Sequence, residues 1–184
     1  MRRVVTGVAA ALIGLLASAN AARAQSGAEF LLGGGIDSPL GTFNDGFKTG
    51  FHGLAGVSFS PPASPVGIQV DGTYSQYSDD TPLDIKEQLI YGTANVVWKF
   101  PTAEASRFHP YLIGGGGVYN AKPKGNDVPS GVSSETKFGI NVGAGFDIKA
   151  GAAGLFAEGR FHDVFTNGDN LKFIPVTVGV RFGG

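Results

Sequence analysis

Apolar side chains occupy every second position near the end of the chain, and small or polar side chains separate most of them. The apolar set is Ile174, Val176, Val178, Val180 and Phe182, and the set between them includes Thr177, Gly179 and Arg181. A period of two is typical of a β-strand with one apolar and one polar face. The apolar face points into a core in a soluble protein, but into lipid in a transmembrane barrel.

The same alternation recurs in seven earlier segments, so the sequence predicts eight strands. They cover about 29–36, 50–60, 66–75, 88–100, 109–120, 135–149, 154–165 and 174–182. Nearly all reach the roughly 9–11 residues that a tilted strand needs to cross a bilayer. The connections near 37–49, 78–86, 121–134 and 166–171 are mostly longer and polar, whereas those near 61–65, 101–107 and 150–153 are short. An even number of strands with long loops at one end and short turns at the other is typical of an outer-membrane barrel.

Aromatic residues concentrate near the two ends of the predicted strands, as in the interfacial girdles of membrane barrels. Near the short turns we assign Phe59, Trp98, Phe100, Phe108, Tyr111, Phe146 and Phe182 to a girdle. Near the long loops we assign Phe51, Tyr74, Tyr77, Tyr119, Phe138, Phe165 and Phe173. Phe156 is the exception, because it shares the polar face of its strand.

The first 24 residues predict a secretory signal peptide, which leaves residues 25–184 as a barrel domain. A positive start at Arg2 and Arg3 precedes an apolar stretch and the cleavage pattern Ala22-Arg23-Ala24,. The apolar stretch is short for a membrane helix, which needs about 20 residues. Removing the three arginines of this segment leaves 11 basic and 15 acidic residues, a net charge of −4. Without a basic block, we expect no nucleic-acid partner.

The polar faces of the strands would line the lumen of such a barrel. The predicted lumen network is Asp71, Asn95, Asn141, Asp147, Glu158, Arg160, His162 and Arg181, joined by Gln69, Thr73 and Thr177. An eight-stranded barrel is just wide enough for side chains to fill it, and buried charges there must pair. We therefore interpret the set as structural rather than catalytic. The chain has no cysteine, and we predict no catalytic residue, cofactor or metal site.

Three segments, read in order, carry a resemblance to a known family. They are His109-Pro110-Tyr111-Leu112-Ile113-Gly114-Gly115-Gly116-Gly117, Phe156-Ala157-Glu158-Gly159-Arg160-Phe161-His162 and Pro175-Val176-Thr177-Val178-Gly179-Val180-Arg181-Phe182. With the signal peptide, they resemble the small outer-membrane β-barrel proteins of the OmpA/OmpX type, and the likeness covers essentially the whole mature chain. The resemblance implies insertion by the barrel-assembly machinery, which reads a final aromatic residue. Here Gly183-Gly184 follow Phe182, a departure from that pattern.

These observations predict an all-β, eight-stranded antiparallel up-and-down transmembrane β-barrel in the outer membrane of a Gram-negative bacterium. We expect a porin-like monomer among outer-membrane lipids, with a non-enzymatic role in envelope structure or in binding an unknown extracellular partner through its loops. The alternatives are a small-solute channel and a lipid A-modifying hydrolase. The hydrolase is disfavoured because the seventh strand lacks serine and because adjacent residues His162 and Asp163 face opposite sides,. A soluble lipocalin-like ligand carrier is the rival fold, with Ile68, Val70, Ile140 and Val142 inside and Gln69 and Asp71 outside.

Overall fold

Eight antiparallel strands form the protein. The computed structural model describes residues 27–43, 48–78, 85–103, 106–125, 134–150 and 153–183. The strands are β1 (Ala28–Leu40), β2 (Gly50–Phe59), β3 (Val66–Ser78), β4 (Ile85–Lys99), β5 (Phe108–Gly125), β6 (Glu135–Ala150), β7 (Ala153–Val164) and β8 (Leu171–Gly183). A single 3-10 turn, Gly41–Phe43, follows β1. The predicted signal peptide, residues 1–24, lies outside the described residues.

Each strand pairs with its neighbour in sequence, and β1 pairs with β8 to close the barrel. The closing register runs from Glu29 opposite Gly183 to Leu40 opposite Lys172. Closure removes the free edges of the first and last strands, because these two strands satisfy each other's backbone groups,. The predicted up-and-down eight-stranded barrel is therefore confirmed. Among the described residues, no helix has the length and apolar character needed to span a membrane.

The two faces of the strands show which side of the barrel is apolar. Ile68 and Val70 of β3 are 56% and 55% exposed, whereas Gln69 and Asp71 between them are 1% and 3% exposed. Val142 on β6 is likewise exposed. This arrangement is the opposite of the one expected for a lipocalin-like carrier, whose apolar residues would line the interior. The outer surface is suited to lipid, and the polar face lines the lumen.

Several strands are longer than the alternation predicted. β1 continues through Asp37-Ser38-Pro39-Leu40, a stretch with strong turn signals, because Pro39 and Leu40 still pair with β8. β5 continues to Gly125, β4 begins at Ile85 and β8 begins at Leu171. The sequence prediction placed all these extensions in loops. Cross-strand pairing within the sheet overrides the local preference for a turn at these positions.

Four aromatic residues assigned to the girdles are in fact inside the barrel. Tyr77, Tyr111, Tyr119 and Phe173 are almost completely buried, whereas girdle residues such as Trp98 are exposed. The assignment was wrong because position along a strand gives only the depth of a side chain in the membrane. Whether a position is odd or even along the strand decides whether its side chain faces the lipid or the lumen. Phe156, predicted to share the polar face, is buried in the lumen.

Candidate functional site: the lumen

A buried ionic cluster crosses the middle of the lumen and is centred on Arg160 of β7. The Nε atom of Arg160 lies 2.5 Å from Glu158 Oε1, and its two terminal nitrogens lie 3.2 and 3.0 Å from the two oxygens of Asp71. Asp71 is on β3, which is four strands away from β7 in the closed barrel. The forked guanidinium matches the carboxylate of Asp71 with two bonds and contacts Glu158 with one,. The bridge therefore joins opposite walls of the lumen.

Neutral donors complete the environment of the Asp71 carboxylate. Gln69 Nε2 donates to it at 3.0 Å, Thr93 Oγ1 at 2.8 Å and Asn95 Nδ2 at 3.3 Å. Asn141 on β6 then donates to Asn95 at 2.8 Å. A buried carboxylate is tolerated when charge and hydrogen bonds replace its water. The network thus extends over β3, β4, β6 and β7.

Towards the short turns, Arg181 of β8 forms a second ionic group. Its Nε atom lies 2.7 Å from Asp147 Oδ1, and its guanidinium carbon lies 5.2 Å from the ring centre of Phe156. Arg181 also donates to the hydroxyl of Tyr111 at 3.3 Å, and that hydroxyl donates to Glu158 at 2.9 Å. Tyr111 therefore connects the two ionic groups.

Towards the long loops, aromatic rings replace charges. The aromatic cluster consists of Tyr77, Tyr91, Tyr119, His162 and Phe173, and all five side chains are buried. His162 stacks on Phe173 with ring centres 4.7 Å apart, and its Nδ1 lies 2.9 Å from the Tyr119 hydroxyl. The edge of Phe173 also faces the ring of Tyr91. These rings fill the part of the lumen near the long loops, and they do so through their volume rather than through charge.

Inward-facing glycines let large side chains cross a neighbouring strand. Tyr111 of β5 lies over Gly145 of β6, where an added Cβ would be only 2.5 Å from the tyrosine ring. The tyrosine can therefore reach Glu158 on β7. Tyr119 crosses Gly139 of β6 in the same way, at 2.9 Å from such a Cβ, and reaches His162 on β7. Gly139 and Gly145 are therefore part of the lumen packing, because any side chain there would displace a tyrosine ring,.

A buried chain of three polar residues was not predicted from the sequence. His52 Nδ1 lies 2.8 Å from Asp37 Oδ1, and His52 Nε2 lies 2.9 Å from Thr177 Oγ1. The order acid, imidazole, hydroxyl is that of a hydrolase triad. All three side chains are buried, and the cavity beside Thr177 measures about 10 Å³. That space suits a single water molecule, not a substrate.

This chain instead connects β1, β2 and β8 where the barrel closes. His52 crosses Gly35 of β1, whose absent Cβ would lie 3.0 Å from the imidazole. No sequence signal could have revealed the trio, because its members are far apart along the chain and Asp37 was placed in a loop.

The predicted lumen residues divide among these groups. Asp71, Asn95, Asn141, Glu158 and Arg160 share the central network, and Arg181 pairs with Asp147, whose side chain is 14% exposed at the mouth. His162 lies apart from the ions, in the aromatic cluster. Tyr111 and Tyr119 were not predicted as lumen residues. The alternation placed both on the same face of their strand as Ile113, and in the structure all three side chains are buried in the lumen. Within the described ranges, no group of three His, Cys, Asp or Glu side chains is placed to hold a metal ion.

The family described as "Outer membrane protein beta-barrel domain" matches residues 8–182. The chain belongs to this family. It therefore resides in the outer membrane of a Gram-negative bacterium, with its apolar face in lipid, and the resemblance to OmpA/OmpX-type barrels is confirmed. In barrels of this family, the short turns face the periplasm and the long loops face the cell exterior.

Solved structures show the same fold. Neisserial surface protein A (NspA) superposes with a TM-score of 0.69 at 20% identity, covering 86% of this chain and 98% of that one. A major outer membrane protein from Thermus thermophilus gives 0.53 at 10% identity, with 84% and 98% covered. The N-terminal barrel domain of Pseudomonas aeruginosa OprF gives 0.51 at 14% identity, with 85% and 98% covered. No curated protein sequence is significantly similar to the chain.

Proposed function

We propose that this outer-membrane barrel is non-enzymatic and acts in envelope structure or in surface binding through its extracellular loops. The observation that supports the proposal is the Arg160–Asp71 bridge across the lumen, with the aromatic cluster above it. A lumen filled in this way has no path for a solute. The part of the protein available to partners outside the cell is then the extracellular end.

The extracellular end is suited to presenting a surface. β4 and β5 remain paired beyond the exposed ring of Tyr74, as far as Ile85 opposite Gly125. On the outer face, Gln88 donates to the Tyr74 hydroxyl, and Asn120 donates to Thr136 at 2.9 Å. A paired extension with polar side chains can hold the loops away from the membrane. The rigid strands would position the loops for binding, as scaffolds commonly do.

Single-channel recording tests the closed lumen. The purified barrel in a planar bilayer should show no steady current above the lipid baseline. An Arg160→Ala/Phe173→Ala variant, which removes part of both lumen layers, serves as the positive comparison and should leak. A stable current from the native barrel would favour the small-solute channel instead.

Loop replacement tests the surface role. Residues 126–133 would be exchanged for a short Gly-Ser linker, and residues 102–105 at the periplasmic end would be exchanged as the matched control. Bacteria displaying each variant would be tested on immobilised glycans and matrix proteins, and for survival in bile salts. We expect the extracellular exchange alone to lower adhesion or survival while heat-modifiable gel mobility is retained. Equal behaviour of both exchanges would contradict the proposal.

The lipid A-modifying hydrolase can be tested through the buried trio. Asp37, His52 and Thr177 have the order needed for acyl transfer, but their burial leaves no room for a lipid. The native barrel and a Thr177→Val variant should both leave purified lipid A unchanged by mass spectrometry. Loss of an acyl chain with the native barrel, but not with the variant, would establish an enzyme.

Assembly and oligomeric state form part of the same proposal. Phe182 stacks with Phe30 across the closing strands, with ring centres 5.9 Å apart. We infer that the barrel-assembly machinery inserts this barrel, and that the barrel is a monomer. Depletion of the machinery should reduce the heat-modifiable form, and cross-linking in native membranes should yield a single-chain band.

A further inference from the structure

The periplasmic mouth of the barrel contains a large concave space. The cavity measures about 560 Å³, within the range of small-molecule sites,. Its ionisable lining residues are Glu29, Lys99, His109, Asp147, Lys149 and Arg181. They come from five different strands, and the cavity lies below the Arg181 layer that closes the lumen.

The charges of the mouth are not evenly paired. Asp147 is engaged by Arg181 at 2.7 Å. Glu29 Oε2 lies 3.8 Å from both Lys99 Nζ and Arg181 Nη1, so its charge is shared between two cations. Lys149 has no carboxylate within salt-bridge distance in the described part of the chain. Among the described residues that line the cavity, three cations face two carboxylates, an excess of one positive charge.

A buried imidazole nitrogen that can donate a hydrogen bond lies in the same cavity. His109 Nδ1 is 2.7 Å from Thr102 Oγ1. Its Nε2 atom is buried and has no hydrogen-bond partner among the described residues. If Thr102 donates to Nδ1, the neutral imidazole carries its proton on Nε2. An unpartnered buried donor is costly, and a ligand acceptor would satisfy it.

We propose that this mouth binds a small organic carboxylate, such as the carboxyl terminus of a short peptide, through the Lys149 ammonium and the His109 Nε2–H. One excess positive charge matches a monoanion. A phosphate dianion would meet the nearby carboxylates of Glu29 and Asp147. The cavity is much larger than a carboxylate group, which leaves room for the organic part of the ligand. The site is independent of the proposed role of the extracellular loops.

The proposal can be tested by NMR titration of the full ¹⁵N-labelled barrel in lipid nanodiscs. The probes are N-acetyl-alanyl-alanine, its C-terminal amide and inorganic phosphate. We expect the free acid to shift the backbone amide signals of Gly154 and Gly183, which line the cavity, whereas the amide should not. A Lys149→Gln variant should bind at least about tenfold more weakly, because a charge-assisted bond is lost. Lys172→Gln, at the extracellular end of β8, is the matched control and should bind as the native barrel does.

Heat-modifiable mobility verifies that each variant is folded before titration. A His109→Phe variant gives a second measure and should also weaken acid binding. Equal shifts from the acid and the amide would overturn the assignment, as would undiminished acid binding by Lys149→Gln. Tighter binding of phosphate than of the acid would show an unspecific anion site and would also overturn it.

Discussion

On the periplasmic side, paired ions fill the lumen, whereas on the extracellular side aromatic rings fill it. Arg160 and Arg181 each contact carboxylates and hydroxyls from several strands. Tyr91, His162 and Phe173 instead contact one another ring against ring. Both fillings occupy the lumen, but by different physics. The ionic half depends on every charge keeping its partner, while the aromatic half depends on volume and shape.

The largest expected loss of stability comes from removing a cation from the ionic half. Arg160→Leu leaves Asp71 and Glu158 buried without their cation, and should lower the free energy of unfolding by about 3–5 kcal/mol. Urea titration of the barrel in lipid vesicles would measure it. Adding Asp71→Asn and Glu158→Gln to the same chain should restore most of the loss, because no unpaired charge then remains. A triple variant as unstable as the single one would contradict the ionic explanation.

Removing volume from the aromatic half should lower the free energy of unfolding somewhat less than breaking the ionic half does. Phe173→Ala opens a cavity beside His162 and Tyr91 and should lower stability by about 3 kcal/mol. The same urea titration applies. Phe173→Leu should recover about half of the loss, since it restores part of the volume. If Phe173→Ala is nearly neutral, packing does not hold this half together.

Glycine substitutions compare the lumen face with the lipid face. An added Cβ at Gly35 would collide with the carbonyl oxygen of Val176 and approach the His52 ring. Gly35→Ala should therefore cost about 2 kcal/mol through overpacking. Gly72→Ala is the control, because its Cβ would meet nothing within 4 Å. Equal stabilities for the two variants would show that the crossing of β1 by His52 is not required.

The smallest effect should come from the polar chain at the barrel closure. Thr177→Val keeps the volume but removes the hydroxyl 2.9 Å from His52 Nε2. We expect a loss of about 1 kcal/mol, the usual net value of one buried hydrogen bond. Thr73→Val, at another buried hydroxyl on the lumen face, is the comparison. A loss above about 3 kcal/mol would indicate that the chain at the closure acts as a unit with Asp37.

The alternation of side chains was enough to predict the number, order and faces of the strands. Ile68 and Gln69 point in opposite directions in any β-strand, so parity separated the two faces. The even strand number and the alternation of long loops with short turns then indicated that the polar face lines the lumen. Strand ends were harder to predict. Asp37 and Pro39 have turn propensity, and their partners on the neighbouring strands keep them in the sheet.

Only the tertiary structure decided which lumen residues meet. Asp71 and Arg160 are 89 positions apart and lie on opposite walls, so their pairing depends on closure and register. The trio of Asp37, His52 and Thr177 depends on a glycine that lets an imidazole cross β1. Side chains alternate between the two faces along each strand, so the sequence determines the face on which each one lies. Contacts across the lumen are set by strand tilt and stagger, which are properties of the closed barrel.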